Sequence, residues 1–305
     1  MNLVVIFFIW IFIHSFCNQL IAKNNSNAFA DKGKAAYFLY TCLCTVFACI
    51  FFFITSGFHI ECNLPTLLYA LLYGSSILVG YLIGLHIYKT ASVARITVAS
   101  SALNTPVVFL SGILLFSETV TLLKVGSVLL MVIAVFLSAK SGDDGSNHDG
   151  NLKREKKKYS FISLLLLSVG QVVFNNILVK CYTLDTRVCS ENSLFFMVNL
   201  LMLIFGLAGF LRQWFINRQE VKEFCSKLRA KDYILTTIRT IGDNITSLVS
   251  IWILVKVDLS IYTVLSASLG LLSAVGASLI LKEKVTPRLW LALIFSIAAI
   301  ILNVL

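Results

Sequence analysis

Within the stretch TTIRTIGDNITSLVS, residues 236–250, Arg239 and Asp243 stand four positions apart in an otherwise uncharged run. On a helix this spacing puts both on one face, and Thr236, Thr246 and Ser250 extend that face into a polar stripe. A guanidinium can grip two oxygens of a carboxylate or phosphate at once, and a neighbouring carboxylate can orient it or carry a proton. Three readings compete: an ion pair that locks helices, a solute site anchored by Arg239 and positioned by Asp243, and proton coupling through Asp243. Burial raises a carboxyl pKa while a nearby guanidinium lowers it, so spacing alone leaves the three open. Gly242, beside Asp243, weakens a helix locally and suggests a bend there.

A second polar set is written twice. HSFCNQLIAK (14–23) and QVVFNNILVK (171–180) align without a gap at an offset of 157, placing His14 on Gln171, Asn18 on Asn175, Gln19 on Asn176 and Lys23 on Lys180. His14 with Asn18, and Gln171 with Asn175, share a helix face at i and i+4. They offer donors and acceptors to a polar solute across a pseudo-two-fold axis. Alternatively they bond neighbouring helices, a contribution of about 0.6 kcal/mol on average. Ser100, Ser101 and Asn104, with Ser266 and Ser268 at the corresponding place in the second half, are a weaker set. Small hydroxyls bind solutes, but they also let helices pack closely. Arg95 reads as a snorkelling cation, with a gate or anion contact as the alternative. Tyr73 and Tyr262 are candidates to cap a cavity or to anchor and pack.

Catalytic constellations are missing from the pattern. The four histidines, His14, His59, His86 and His148, form no His-Glu-x-x-His, and the eight cysteines form no Cys-x-x-Cys. Nor does a nucleophile elbow or a glycine-rich phosphate loop occur. We therefore expect no enzymatic activity, no metal and no cofactor.

The elements that must position these residues follow from hydropathy. Hydrophobic residues make up 58% of the chain and charged ones 13%, against roughly 25% charged in soluble domains. Ten apolar runs approach the ~20 residues a helix needs to cross a bilayer. They lie near 2–22, 35–55, 65–87, 92–116, 120–139, 160–180, 193–213, 232–255, 259–281 and 287–305. Runs such as SVLLMVIAVFLSA are apolar on every side, unlike the alternating strands of a membrane barrel. The first run has no charged n-region and no obvious small-residue cleavage site, so it reads as a retained helix. The expected fold class is all-α integral membrane.

The net charge of +10 is a topology signal before it is a partner signal. KREKKK (153–158) carries no interleaved aromatics and follows SGDDGSNHDGN; it reads as a solvated loop, with anionic lipid headgroups as the alternative contact, and no nucleic-acid partner is expected. Arg239 aside, 20 Lys and Arg lie in or beside odd-numbered loops and 4 in or beside even-numbered ones. The positive-inside rule then places the odd loops in the cytoplasm and both termini on the far side. The basic loops are the first and third of one half, and the second and fourth of the other. Two five-helix halves of opposite orientation produce that pattern. LLFSETVT (114–121) and LILKEKVT (279–286) repeat as well, with Glu118 on Glu283. The expected organisation is a first repeat at 1–139, a basic cytoplasmic linker at 140–159 and a second repeat at 160–305. By that topology Cys181 and Cys189 lie at a non-cytoplasmic loop, where they either bridge across CYTLDTRVC or remain free thiols.

CNQLIAK and FNNILVK resemble the Ser-Asn-Phe-x-x-x-Lys pattern on the first helix of each half in the drug/metabolite transporter superfamily, especially its EamA-like branch. Residues 88–139 are similar to that family's third-to-fifth-helix region: a short turn, a fourth helix with a proline, a Glu-bearing turn and a fifth helix. Residues 253–303 repeat it without the proline. The resemblance implies a ten-helix carrier whose central cavity is lined mainly by the first, third and fourth helices of each half. Members usually keep both termini in the cytoplasm, the reverse of the charge count here. The Gly-Ala-Leu-Asn-Lys motif of GDP-mannose carriers is absent, the ninth run reading SASLGLLSAVGA. The expected function is secondary transport of a small organic metabolite by alternating access at a midplane cavity between the repeats. The expected residues are His14, Asn18, Gln171, Asn175, Arg239, Asp243, Ser101 and Ser266, in a plasma or inner membrane. A flippase for a lipid-linked sugar, or a non-transporting receptor or assembly subunit, stands as the alternative. Membrane lipids are expected partners, and a homodimer is left open.

Overall fold

The structure is a computed structural model that describes residues 3–90, 93–139, 161–256 and 287–304, with single positions between 258 and 280. The linker 140–159, Ser268, Glu283, Leu305 and the side chain of Arg95 lie outside the described residues. The helices are α1 (Leu3–Phe29), α2 (Lys34–Thr55), α3 (Leu64–Thr90), α4 (Val93–Phe116) and α5 (Leu122–Ala139) in the first half. In the second they are α6 (Phe161–Leu184), α7 (Glu191–Ile216), α8 (Arg218–Lys227), α9 (Ala230–Lys256) and α10 (Pro287–Val304). Described positions from Leu259 to Ile280 are helical too, and no strand occurs among the described residues.

Among the described residues, six helices are long and apolar enough to cross a bilayer: α2, α3, residues 99–116 of α4, α6, α7, and α9 through Val255. Residues 122–134 and 290–299 form shorter apolar stretches in α5 and α10. This is the all-helical make-up of a multi-pass membrane protein. The exposed faces agree with it, since Leu114, Leu122, Phe136 and Phe215 are each at least 71% exposed. Water would drive such faces together, whereas lipid tails are as apolar as leucine.

The chain forms two compact units, each drawn from both halves of the sequence. The first, here the α4–α5 unit, comprises residues 1–20, 90–177 and 253–305. In it α5 packs on α10 and α4 packs on α5, around Val128, Val264 and Ala299. At the turn after α4, Glu118 Oε1 accepts the backbone N–H of Leu259 at 2.6 Å. The carboxylate thereby satisfies a donor that a starting helix leaves without an intrahelical acceptor. Beyond the same turn Lys124, 9% exposed, reaches Asp258 and the Thr119 carbonyl. That is a structural reason for the Glu-bearing turn.

The second unit, the α2–α7 unit, comprises residues 21–89 and 178–252. Here α2 lies against α7, and Gly206 permits the approach. A Cβ on Gly206 would stand 3.0 Å from Cys42 Sγ and 3.3 Å from the Cys42 backbone nitrogen. Small residues at a contact of this kind let membrane helices associate through backbone-level packing. The unit is filled by Phe29, Tyr40 and Phe224 on one side and by Leu194, Val198 and Met202 on the other.

Two elements depart from the hydropathy boundaries. Helix α1 runs on to Phe29, through the polar tail NNSNAF, because that tail finds partners. Ser26 donates to the Leu85 carbonyl at 2.6 Å, and the Asn25 amide lies 3.2 Å from the Thr236 hydroxyl. The basic loop 214–231 contains α8, which buries Val221 and Phe224 at i and i+3 and sets Phe224 against Phe29 at 6.3 Å. Helix α9 continues unbroken through Gly242.

Candidate solute-binding residues

In the α2–α7 unit Thr236 of the predicted α9 stripe, with Thr240, Asn244 and Ser247 beside it, is consumed by the helix's own backbone. Thr236 donates to the Asp232 carbonyl at 2.7 Å, Thr240 to Thr236 at 2.9 Å, Asn244 to Thr240 at 2.7 Å and Ser247 to Asp243 at 2.8 Å. Bonds one turn back are the usual way a hydroxyl or amide is accommodated on a helix without a distant partner. They leave those groups with little to offer a ligand.

Arg239 is different. Its side chain is 21% exposed, and its Nε lies 3.5 Å from Asp243 Oδ2, whose side chain is 40% exposed. The opposite charges touch without a hydrogen bond, for Nε has no hydrogen-bond partner. The guanidinium makes one hydrogen bond, Nη1 donating to Tyr40 Oη at 3.2 Å. Tyr40 is itself fixed, 2% exposed, with its ring 5.2 Å from Phe29 and edge-on to Tyr81 at 5.5 Å. Of the five N–H donors of a guanidinium, most are therefore unspent within the described residues. Tyr40 escaped the sequence reading because its hydroxyl meets Arg239 across 199 positions of chain.

The α4–α5 unit holds a separate pocket of about 250 Å³. Ser100, Ser101 and Asn104 of α4, Asn176 and Ser168 of α6, and Tyr262 with Ser266 line it. The two serines singled out from the sequence, Ser101 and Ser266, thus meet in one cavity. Asn104 Oδ1 is buried without a hydrogen-bond partner, an acceptor whose cost of about 1–3 kcal/mol is relieved when a donor arrives.

The duplicated amides separate by role. Gln19 is consumed, its Nε2 donating to Ser273 Oγ at 3.0 Å and to the Gly270 carbonyl at 3.3 Å. Its counterpart Asn176 faces the pocket. His14 stacks on Trp10 at 6.3 Å, and Asn18 and Gln171 are half-buried. Asn175 Oδ1 is buried with no hydrogen-bond partner. All four of these residues belong to the α4–α5 unit, while Arg239 and Asp243 belong to the α2–α7 unit. Among the described lining residues of the pocket the α6 amide is Asn176, not Gln171 or Asn175. Tyr73 packs against the Val198 and Met202 cluster.

At the turn after α6, Cys181 and Cys189 are free thiols. The turn is held by other means: Cys189 N–H donates to Thr66 Oγ1 at 2.9 Å, and Tyr182 Oη donates to the Cys189 carbonyl at 2.8 Å. Asp185 adds a two-pronged pair with Arg187, both contacts at 2.9 Å. These bonds hold the Asp185 carboxyl down at about 2.

No family model matches the chain, and no curated protein matches it. A solved structure described only as "Crystal structure of protein" is similar over 97% of this chain and 98% of that one, with a TM-score of 0.62 and 13% sequence identity. At that identity the likeness is one of fold alone, and it extends over almost the whole length of both chains.

Proposed function

We propose that this protein is a ten-helix secondary carrier of the drug/metabolite transporter type, in a plasma or inner membrane, that moves a small organic metabolite by alternating access. The observation that carries the proposal is Arg239. A charge near mid-bilayer costs at least ~2.5–3.5 kcal/mol by insertion scales, and a purely structural guanidinium would be expected to spend its donors on the protein. Arg239 spends one, on Tyr40, and meets Asp243 only at 3.5 Å. That leaves a planar fork for a carboxylate-bearing or otherwise anionic solute.

Two features support the inverted repeat. The compact units divide α1 after Leu20 and α6 after Ile177, the same 157-residue offset that relates His14 to Gln171. Equivalent helices also pair: α2 with α7, the second of each half, and α5 with α10, the fifth of each half. Ten spans result when α1, the helical positions from Leu259 to Ile280, α5 and α10 join the six long helices and α8 stays outside the bilayer. A pocket of about 250 Å³ suits a small solute better than a lipid-linked sugar. Counterflow of labelled metabolites in proteoliposomes tests the reading, with candidates chosen by thermal shift because a ligand of the folded state raises apparent stability. Nucleotide-independent exchange that Arg239→Lys cuts sharply supports it. Undiminished exchange in that variant refutes the role of Arg239, and exchange of no solute that binds refutes the carrier.

A further inference from the structure

A cavity of about 900 Å³ opens in the α2–α7 unit where the start of α2, the end of α7 and the start of α8 meet. Its volume falls within the range of small-molecule sites, and it shares no residue with the sites above. One side is apolar, formed by Phe38, Phe205, Ala208 and Ile216, and the polar side carries Lys34 and Arg212 with Glu220. Phe38 lies directly on Gly209, where a Cβ would come within 2.3 Å of its ring. Neither Lys34 nor Arg212 has an ion-pair or hydrogen-bond partner for its side chain among the described residues.

Local geometry adds to the positive side. Gly33, at φ 90, caps α2 without a side chain, so the first-turn N–H groups of α2 have no side-chain acceptor. Glu220 Oε1 stands beside this glycine, 3.0 Å from the place of a Cβ. Two cations and one carboxylate leave the cavity with a formal charge of +1. Beside it Trp214 lies under Arg218 at 5.8 Å, an amphipathic pairing typical of the headgroup level of a bilayer. Phe215, beside Ile216 in sequence, is 82% exposed.

We propose that this cavity binds an anionic glycerophospholipid of the phosphatidylglycerol class. The phosphodiester sits against Lys34 and Arg212, the amides of Gln213 and Asn217 meet the glycerol hydroxyls, and an acyl chain runs along Phe38, Ala208 and Phe205. A single negative charge matches the net +1, whereas Glu220 disfavours a second one. The groove lies at the two basic loops that the charge distribution assigns to the cytoplasmic leaflet, where anionic lipid creates a negative surface. The inference needs only the membrane setting and is independent of whether the chain transports anything.

The test uses full-length protein in mixed micelles, with phosphatidylglycerol or phosphatidylcholine of identical chains. The readouts are lipid retention by native mass spectrometry and the lipid-dependent rise in unfolding temperature. Wild type should retain phosphatidylglycerol preferentially. Each cation near a charged surface contributes about 1 kcal/mol, so Lys34→Gln with Arg212→Gln should weaken that preference roughly thirtyfold while leaving phosphatidylcholine retention unchanged. Ala208→Trp, which fills the apolar side and keeps both cations, should weaken retention of phosphatidylglycerol too, and it serves if the double variant fails to fold. Equal retention of the two lipids by wild type would overturn the proposal, as would phosphatidylethanolamine matching phosphatidylglycerol. Competition by millimolar inorganic phosphate would overturn it differently, by making the site one for a free anion.

Discussion

Arg239 and Asp243 can be separated into a structural lock or a ligand site by how much each costs to remove. At 3.5 Å two full charges attract by about 5 kcal/mol at an effective dielectric of about 20. With Asp243 40% exposed and the geometry lacking a hydrogen bond, solvent discounts that to roughly 1 kcal/mol, the upper end for partly exposed pairs. A buried lock would instead cost about 3–5 kcal/mol when one partner is removed, and would recover in the double variant. The Arg239–Asp243 coupling, measured by a double-variant cycle of unfolding stability in mixed micelles, should therefore be only about 1 kcal/mol. Arg239→Lys keeps the charge and loses the fork; giving up one hydrogen bond to a charged group, worth about 1.5–3 kcal/mol, should cut solute exchange roughly ten- to hundredfold at matched reconstitution. Asp243→Asn decides proton coupling, since loss of pH-driven flux with exchange intact would assign the proton to that carboxylate. A loss of 3 kcal/mol or more in either single alanine variant, restored by combining them, would sink the ligand role and leave a helix lock.

Reporter fusions should place residues 140–158 and 214–231 in the cytoplasm and Leu305 outside; the reverse at both ends would overturn the orientation drawn from 20 basic residues against 4. Gly206→Leu should destabilise the α2–α7 contact by about 1–3 kcal/mol through overpacking against Cys42, and an unchanged unfolding curve would show that the backbones do not approach there. The Asp185 carboxyl sits at about 2 in the folded protein, below its ordinary 3.8, through its bonds with Arg187. A depressed folded value stabilises above the unfolded value and is lost as pH falls through the folded one, so wild type should lose stability relative to Asp185→Asn between about pH 4 and pH 2; parallel curves over that window would exclude the bond in solution. Mass spectrometry of unreduced protein should find free thiols at Cys181 and Cys189, and a mass two protons lower in their joint peptide would contradict the arrangement at that turn.

Hydropathy by itself located the long apolar helices because a membrane helix must satisfy its backbone internally, which makes each one a local property of about twenty consecutive residues. Helices α2, α3 and α7 accordingly begin and end within about three residues of the apolar runs at 35–55, 65–87 and 193–213. Duplication was legible for the same reason, as a repeated string at a fixed offset. So were Arg239 as an exceptional charge and Ser101 with Ser266 as polar positions in apolar helices. Which of the polar groups remain available was not legible. Gln19 and Asn176 occupy the same place in the repeated string, yet one is spent on Ser273, 254 positions away, and the other lines a pocket. Helix α8 was hidden because its two buried residues, Val221 and Phe224, are too few to show as an apolar run and gain meaning only against Phe29. Composition and periodicity determined that the chain is a helical membrane protein and where its exceptional polar residues lie. Tertiary structure alone decided which of those donors and acceptors are already satisfied, since a hydrogen bond of a few ångströms depends on the placement of partners brought in from distant parts of the chain.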